Sequence, residues 1–286
     1  MASPTANFGF SYNGWLFGGT GQGVQVLSVT GLEDLPTLRV QDDNRGYFDG
    51  MFTGRDFLNG RTITMELQIM SDGSNNYQVY LQQLQQYLIS QQSGTTVLQF
   101  NLPTRGTRRV NARVRRRAIA VNPEYTYGKA YATIEFFCPD PRIYNDTATT
   151  YTFTPASGTG RTYPRVYPML YNATTGTPGN QQTMVNNGNY TTYPIYTIVG
   201  PCSNPSIVNA NTNTALNFNV TLSSTDTLTV DTDMKTVLLN NIVSRNLLAA
   251  SSQWSGFDPG NTLLSLLVST YTAGASMVVS YRDAYI

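Results

Sequence analysis

A chain of 286 residues with eighteen basic and seventeen acidic side chains carries a net charge of +1, which selects no class of charged partner. Histidine is absent, which removes the commonest general base, the Ser-His-Asp and Cys-His arrangements and most catalytic zinc sites. Two cysteines, Cys138 and Cys202, are too few for a disulfide framework, form no CxxC pair, and read as buried free thiols.

Carboxylate-pair hydrolysis survives these exclusions, but Asp231 and Asp233, two apart beside a turn, read as solubilising residues. No enzyme and no cofactor are expected. Charge is unevenly spread: residues 1–142 hold eleven acids and thirteen bases, residues 143–286 only six and five. The second half is crowded with Thr, Asn, Ser, Tyr and Gly, the usage of short strands with polar loops. The start MASPTANFGF has no basic segment leading into an apolar one, so no signal peptide is expected. The longest apolar run, residues 263–268, falls far short of a membrane span. Synthesis in a cytoplasm without membrane insertion is the expectation.

In chain order, Gly18–Gly23 is glycine-rich but lacks GxGxxG spacing and a following GK[ST], and reads as a loop before a strand at 23–30. The stretch 43–63, DNRGYFDGMFTGRDFLNGRTI, places four glycines ahead of a strand rather than a helix, so it is no phosphate cradle. Arg45 is followed by Gly-Tyr, so there is no RGD tripeptide, and a long bent hairpin is expected. In 62–70, Ile63, Met65, Leu67 and Ile69 alternate with polar residues, the period of a half-buried antiparallel strand. In 75–90, Tyr77, Tyr80, Leu81, Leu84, Tyr87 and Leu88 fall at helical spacing with Gln outside, and Ser74 or Asn75 is the expected cap. Further strands are expected at 96–101, 109–121 and 129–137.

Prolines 139 and 141 close that run. The reading is a domain over 1–143, a Thr/Ser/Gly/Pro linker over 144–164, and an all-β domain over 165–286. Its strands are expected at 165–172, 193–200, 216–222, 227–231, 236–240, 262–269 and 275–281. Turn signals stand at Asn186-Asn187-Gly188-Asn189 and at Pro259-Gly260.

Two groups of residues invite a functional reading. Seven arginines lie in thirteen positions from Arg105 to Arg117; on a strand, Arg109, Arg113 and Arg115 line the face opposite Val110, Ala112 and Val114. Such a row suits phosphates, and equally suits acids such as Asp42, Asp43 and Asp49 of the same domain or of a neighbouring subunit. Trp254 and Phe257 suit stacking against a sugar, or plain packing under the Pro-Gly turn.

The order of motifs resembles the distal tail proteins of long non-contractile-tailed bacteriophages, especially those of phages infecting actinobacteria. The matching residues are Arg45, Gly46, Gly50, Gly60, Arg61 and Ile63; Asp140, Pro141 and Tyr144; and Asn186, Gly188, Asn189, Thr192 and Pro194. Trp254, Phe257, Pro259, Gly260 and Asn261 follow, and then Tyr281, Arg282, Asp283, Ala284 and Tyr285. The resemblance implies a mainly β protein: an N-terminal β-sandwich or barrel with one amphipathic helix that assembles into a homo-hexameric ring, and a C-terminal galectin-like β-sandwich. It implies a structural hub at the virion tail tip, joining the tail tube protein to a tail fibre or tail-tip protein around a channel for DNA. Under that implication Arg45, Arg55 and Arg61 pair with nearby or neighbouring-subunit acids, Asp43 and Asp49 among the interface residues, and Arg109, Arg113 and Arg115 have a channel address. The alternative is a lectin-like module whose Trp254 and Phe257 stack on host cell-wall glycan.

Overall fold

A computed structural model describes residues 3–19, 23–72, 76–90, 93–155 and 179–286. It is mainly β and divides into two compact units, Met1–Asp146 with Tyr285–Ile286, and Thr147–Ala284.

The first unit is built on antiparallel strands: β1 (Gly9–Tyr12), β2 (Trp15–Gly18), β3 (Val24–Thr30), β4 (Arg61–Met70), β5 (Thr96–Leu102), β6 (Gly106–Ala120) and β7 (Lys129–Cys138). Their order is β2-β1-β5-β6-β7-β4-β3, and β8 (Ile143–Asn145) adds to β6. The two ends of that order approach at Gly18, where an added Cβ would stand 3.0 Å from Val26 Cγ2, so the sheet curls towards a barrel. The alternation in β4 is the predicted one: Ile63, Met65, Leu67 and Ile69 are buried, and Phe136, Ile134, Ala132 and Ala130 of β7 face them in register. Strands β1 and β2 were not foreseen. They turn at Asn13-Gly14, whose φ values of 51° and 83° suit the primed hairpin turn that Asn-Gly favours.

Helix α1 (Tyr77–Tyr87) closes this core with Tyr80, Leu81 and Leu84, as its spacing predicted. Ser74 and Asn75 lie outside the described residues; the cap is Asn76, whose side chain accepts from the Gln78 N–H. The last turn is satisfied from another strand, for Arg117 Nη1 donates to Gln85 O at 2.8 Å and Leu88 O at 3.0 Å. A cation thus meets the negative end of the helix. Residues 285–286 belong to this unit, with the Tyr285 ring 3.6 Å from the Arg108 guanidinium carbon.

The second unit is a sandwich. One sheet runs β9 (Thr149–Phe153), β17 (Ser276–Tyr281), β11 (Ile195–Val199), β14 (Thr227–Asp231) and β15 (Thr236–Leu239), ending at the two-residue strand Ile242–Val243. The other runs β10 (Gln181–Asn186), β16 (Gly260–Leu267), β12 (Ser206–Asn209) and β13 (Thr214–Asn217). Phe153, Tyr196, Ile198, Val230 and Met277 from the first sheet share one core with Met184, Ile207, Leu216, Leu264 and Leu266 from the second.

Two expectations change here. Residues 149–153, assigned to a linker for their threonines, form strand β9 in register with β17, from Thr149↔Tyr281 to Phe153↔Met277. Phe153 is fully buried, and that burial outweighs the polar composition. The single strand expected at 216–222 is broken: β13 ends at Asn217, and Phe218 bridges to Leu248. The strand expected at 165–172 lies outside the described residues.

Candidate assembly surfaces

Most of the motif residues gather into two clusters, one in each unit; Arg45, Gly46 and Gly50 lie apart, on a hairpin arm. In the first, Arg61 is 2% exposed. Its Nη1 donates to the carbonyls of Gly31 (2.9 Å), Leu32 (2.7 Å) and Asp34 (2.7 Å), and its Nε donates to Pro141 O at 3.0 Å. Desolvation by burial lowers its pKa, while Cys138, Asp34 and Glu33 act in the other direction. Pro141 belongs to a self-capping turn. Asp140 Oδ1 accepts from Arg142 Nε at 2.7 Å, and Asp140 Oδ2 accepts from the Tyr144 hydroxyl at 2.6 Å. The GRxI and DPxxY motifs are therefore one structural joint. Arg61 serves this internal joint rather than a neighbouring subunit, because four otherwise unpaired carbonyls claim its donors.

Arg109, expected to face a channel, is paired within the chain. Its Nε and Nη2 lie 2.8 and 2.6 Å from Asp146 Oδ1, which Gln99 Nε2 also reaches at 2.8 Å. Burial alone would raise the Asp146 pKa, but the bonds from Gln99, Arg109 and Ser3 hold it below its ordinary value. A carboxylate with a depressed folded pKa contributes stability that is present above its unfolded value near 3.9. That stability is lost as pH falls through the folded pKa. The urea midpoint of wild type should therefore drop below about pH 4 more steeply than that of Asp146→Asn, measured from pH 7 to pH 3.

Most of the arginine run is occupied within the chain. Arg105 pairs with Glu33 at 3.0 Å, Arg108 lies over Tyr285, and Arg117 caps the helix. A bulge between Val114 and Arg116 breaks the expected alternation. Arg113 and Arg115 both rest on the Phe137 ring, at 5.5 and 3.4 Å from its centroid. Phe137 fixes these two guanidinium planes without neutralising them.

The stretch 43–63 does form a hairpin, a long arm. Leu38–Arg39 pairs with Phe57–Leu58, and Asp43–Asn44 with Met51–Phe52. Gly54 permits a close approach, since an added Cβ would stand 1.8 Å from Gln41 O. Within the chain, no ion pair of Arg45 or Arg55 forms along it among the described residues: Arg45 rests on the Phe52 ring and Arg55 on the Phe57 ring, each between 5.0 and 5.3 Å. Asp43 and Asp49 are exposed. The missed signal was apolar rather than charged. Tyr47 is 98% and Phe48 79% exposed at the tip, with Met51 and Phe52 exposed behind them.

In the second unit, Asn186 Nδ2 donates to Tyr190 O at 2.8 Å and Phe257 O at 3.0 Å, and the Asn187 N–H donates to Asp283 Oδ1 at 3.1 Å. Thr192 and Phe257 exchange backbone hydrogen bonds of 2.9 and 2.7 Å. Gly188 lies so close to Ala284 that an added Cβ would stand 1.8 Å from its carbonyl oxygen. The NxGNxxTxP, WxxFxPGN and YRDAY motifs therefore close one end of the sandwich. Phe257 is 1% exposed, with its ring edge-on to Tyr196 and Tyr281, and Trp254 packs partly buried against the same core. Of the two readings of this pair, packing under the Pro-Gly turn is the one these contacts fit. Phe257→Ala should cost roughly 3–5 kcal/mol of stability by urea unfolding.

Among the described residues, no group of three or more His, Cys, Asp or Glu is placed to hold a metal, and no helix is long and apolar enough to cross a membrane. Burial pushes the Cys138 thiol up to about 12, and both cysteines are free and buried.

Residues 187–285 match the family described as siphovirus-type tail component, C-terminal domain. This segment holds most of the motif cluster of the second unit, with Asn186 just before it. Over the whole chain the fold is that of the SPP1 Dit (gp 19.1) crystal structure. The TM-score is 0.67 at 15% sequence identity, covering 98% of this chain and 99% of that one. The resemblance to distal tail proteins is borne out. The phage P2 baseplate in its activated conformation with calcium also aligns, with a TM-score of 0.48 at 11% identity over 95% of this chain and 97% of that one. No curated protein matches the sequence.

Proposed function

We propose that this protein is a structural hub of a phage tail, located at the virion tail tip. It assembles through its first unit as a homo-hexameric ring between the tail tube and the fibre or tip protein. The observation that carries the reading is the extent of the fold likeness to SPP1 Dit, described as a paradigm of hub adsorption apparatus in phages infecting Gram-positive bacteria. The tail-component match over residues 187–285 supports it independently. The exposed apolar arm supports self-association, since a soluble monomer rarely leaves so many large apolar residues together in water. The interior position of Phe257 weighs against the lectin-like alternative.

Sedimentation of the purified chain tests the reading: six-fold assembly is expected, and a monomer at every concentration would overturn it. Gold-labelled antibody on intact particles should mark the tail tip. In such a ring Arg113 and Arg115 face the channel through which DNA passes. Replacing both by Ser removes twelve positive charges from a six-fold ring and should leave the ring intact. In a filter-binding titration it should flatten the salt dependence of the ring's weak DNA binding by about 0.9 in log–log slope for each of those charges that meets a phosphate. An unchanged slope would remove the channel assignment.

A further inference from the structure

The first unit exposes an apolar knob and an apolar groove, and among the described residues nothing fills either. The knob is the arm tip, Tyr47 and Phe48. The groove, of about 370 Å³, is lined by Phe8, Val26, Leu27, Val29, Leu32 and Leu102, with Glu33 and Asp34 on its rim. Leu27, at the bulge between Val26 and Ser28, is 53% exposed at its mouth.

The chain's own tip is held away from its own groove. The arm leaves directly from the rim at Leu35, and its two paired ladders keep it extended as far as Gly46. At the rise of a β-strand, those eleven residues set the tip on the order of 30 Å from the rim. The charges beside the two features are complementary: Arg45 opens the tip, and Asp34 keeps a carboxylate on the groove's rim, Glu33 being paired with Arg105. An aromatic knob on one face and its apolar receptacle on another define a heterologous, head-to-tail contact, the kind that closes into rings.

We infer that Tyr47 and Phe48 of one copy seat in the groove around Leu27 of the next copy, and that this contact links successive subunits. The inference rests on the ring reading above and names both halves of its joint.

Two variants of the full chain test it. Tyr47→Ser/Phe48→Ser removes the knob and keeps the groove; Leu27→Arg blocks the groove and keeps the knob. Both alter exposed side chains, so circular dichroism should match wild type. By mass photometry each variant alone should be monomeric where wild type forms rings. Their equimolar mixture should give a heterodimer and nothing larger, because it contains one working knob and one working groove. In addition, Phe48→Cys with Leu27→Cys in one chain should give a ladder of disulfide-linked oligomers on oxidation, with Phe48→Cys alone giving none. Rings that persist in either variant, or wild-type rings without the ladder, would overturn the knob-and-groove pairing and leave the ring reading intact. A wild-type chain that never assembles would overturn both.

Discussion

Replacing Arg61 by alanine is expected to destabilise the first unit by about 4 kcal/mol, a large share of the total for a domain this size. The residue is no ordinary surface arginine. Four carbonyls, from Gly31, Leu32, Asp34 and Pro141, point at one guanidinium that is itself buried, and removing it takes the donor from all four, Leu32's in the interior. Lysine is a poor substitute, since a single ammonium cannot copy the planar fork that reaches both the 31–34 turn and Pro141. Arg61→Lys should recover less than half of the loss. The measurement is the urea midpoint at constant slope. Near-wild-type stability of Arg61→Ala would show that the four carbonyls find other partners. Ring formation should fail together with folding in this variant, whereas arm variants should lose assembly alone.

The second large effect is expected at Gly188. An alanine there would bring its Cβ to 1.8 Å from Ala284 O and 2.7 and 2.8 Å from Ala284 C and N. These are backbone atoms, so no rotamer change can relieve the overlap. Asn186 Oδ1 further fixes the turn by accepting from the Gly188 N–H at 3.0 Å. Gly188→Ala should therefore cost roughly 3 kcal/mol and loosen the strand end around Asp283. Hydrogen exchange should show faster exchange at Asn187 and Tyr190, whose N–H groups bond Asp283 and Ala284. Unaltered protection at both amides would mean that the Ala284 backbone can withdraw at little cost.

What the sequence made legible was local. The alternation of Ile63, Met65, Leu67 and Ile69 gave a strand and its buried face, because a period of two needs no knowledge of partners. The stripe of Tyr80, Leu81 and Leu84 gave the helix in the same way. The fate of polar and charged residues was not legible, because it depends on distant groups. Arg61 finds its acceptors 27 to 80 positions away, and Arg109 finds Asp146 37 positions away. Strand β9 looked like a linker because the register that makes it a strand comes from residues 277–281. Asn13-Gly14 is a different case: its hairpin signal is local, carried by the four letters YNGW. The conspicuous arginines of 43–63 drew attention to charge, whereas the unusual property of that arm is its uncovered aromatic tip.

The return of Tyr285 and Ile286 to the first unit makes the second an insertion, entered after Asp146 and left at Ala284. A fusion at the C-terminus would therefore report on the first unit and not on the sandwich that precedes it in sequence. To mark the sandwich itself, a label belongs in one of its own exposed turns, such as Asn240-Asn241.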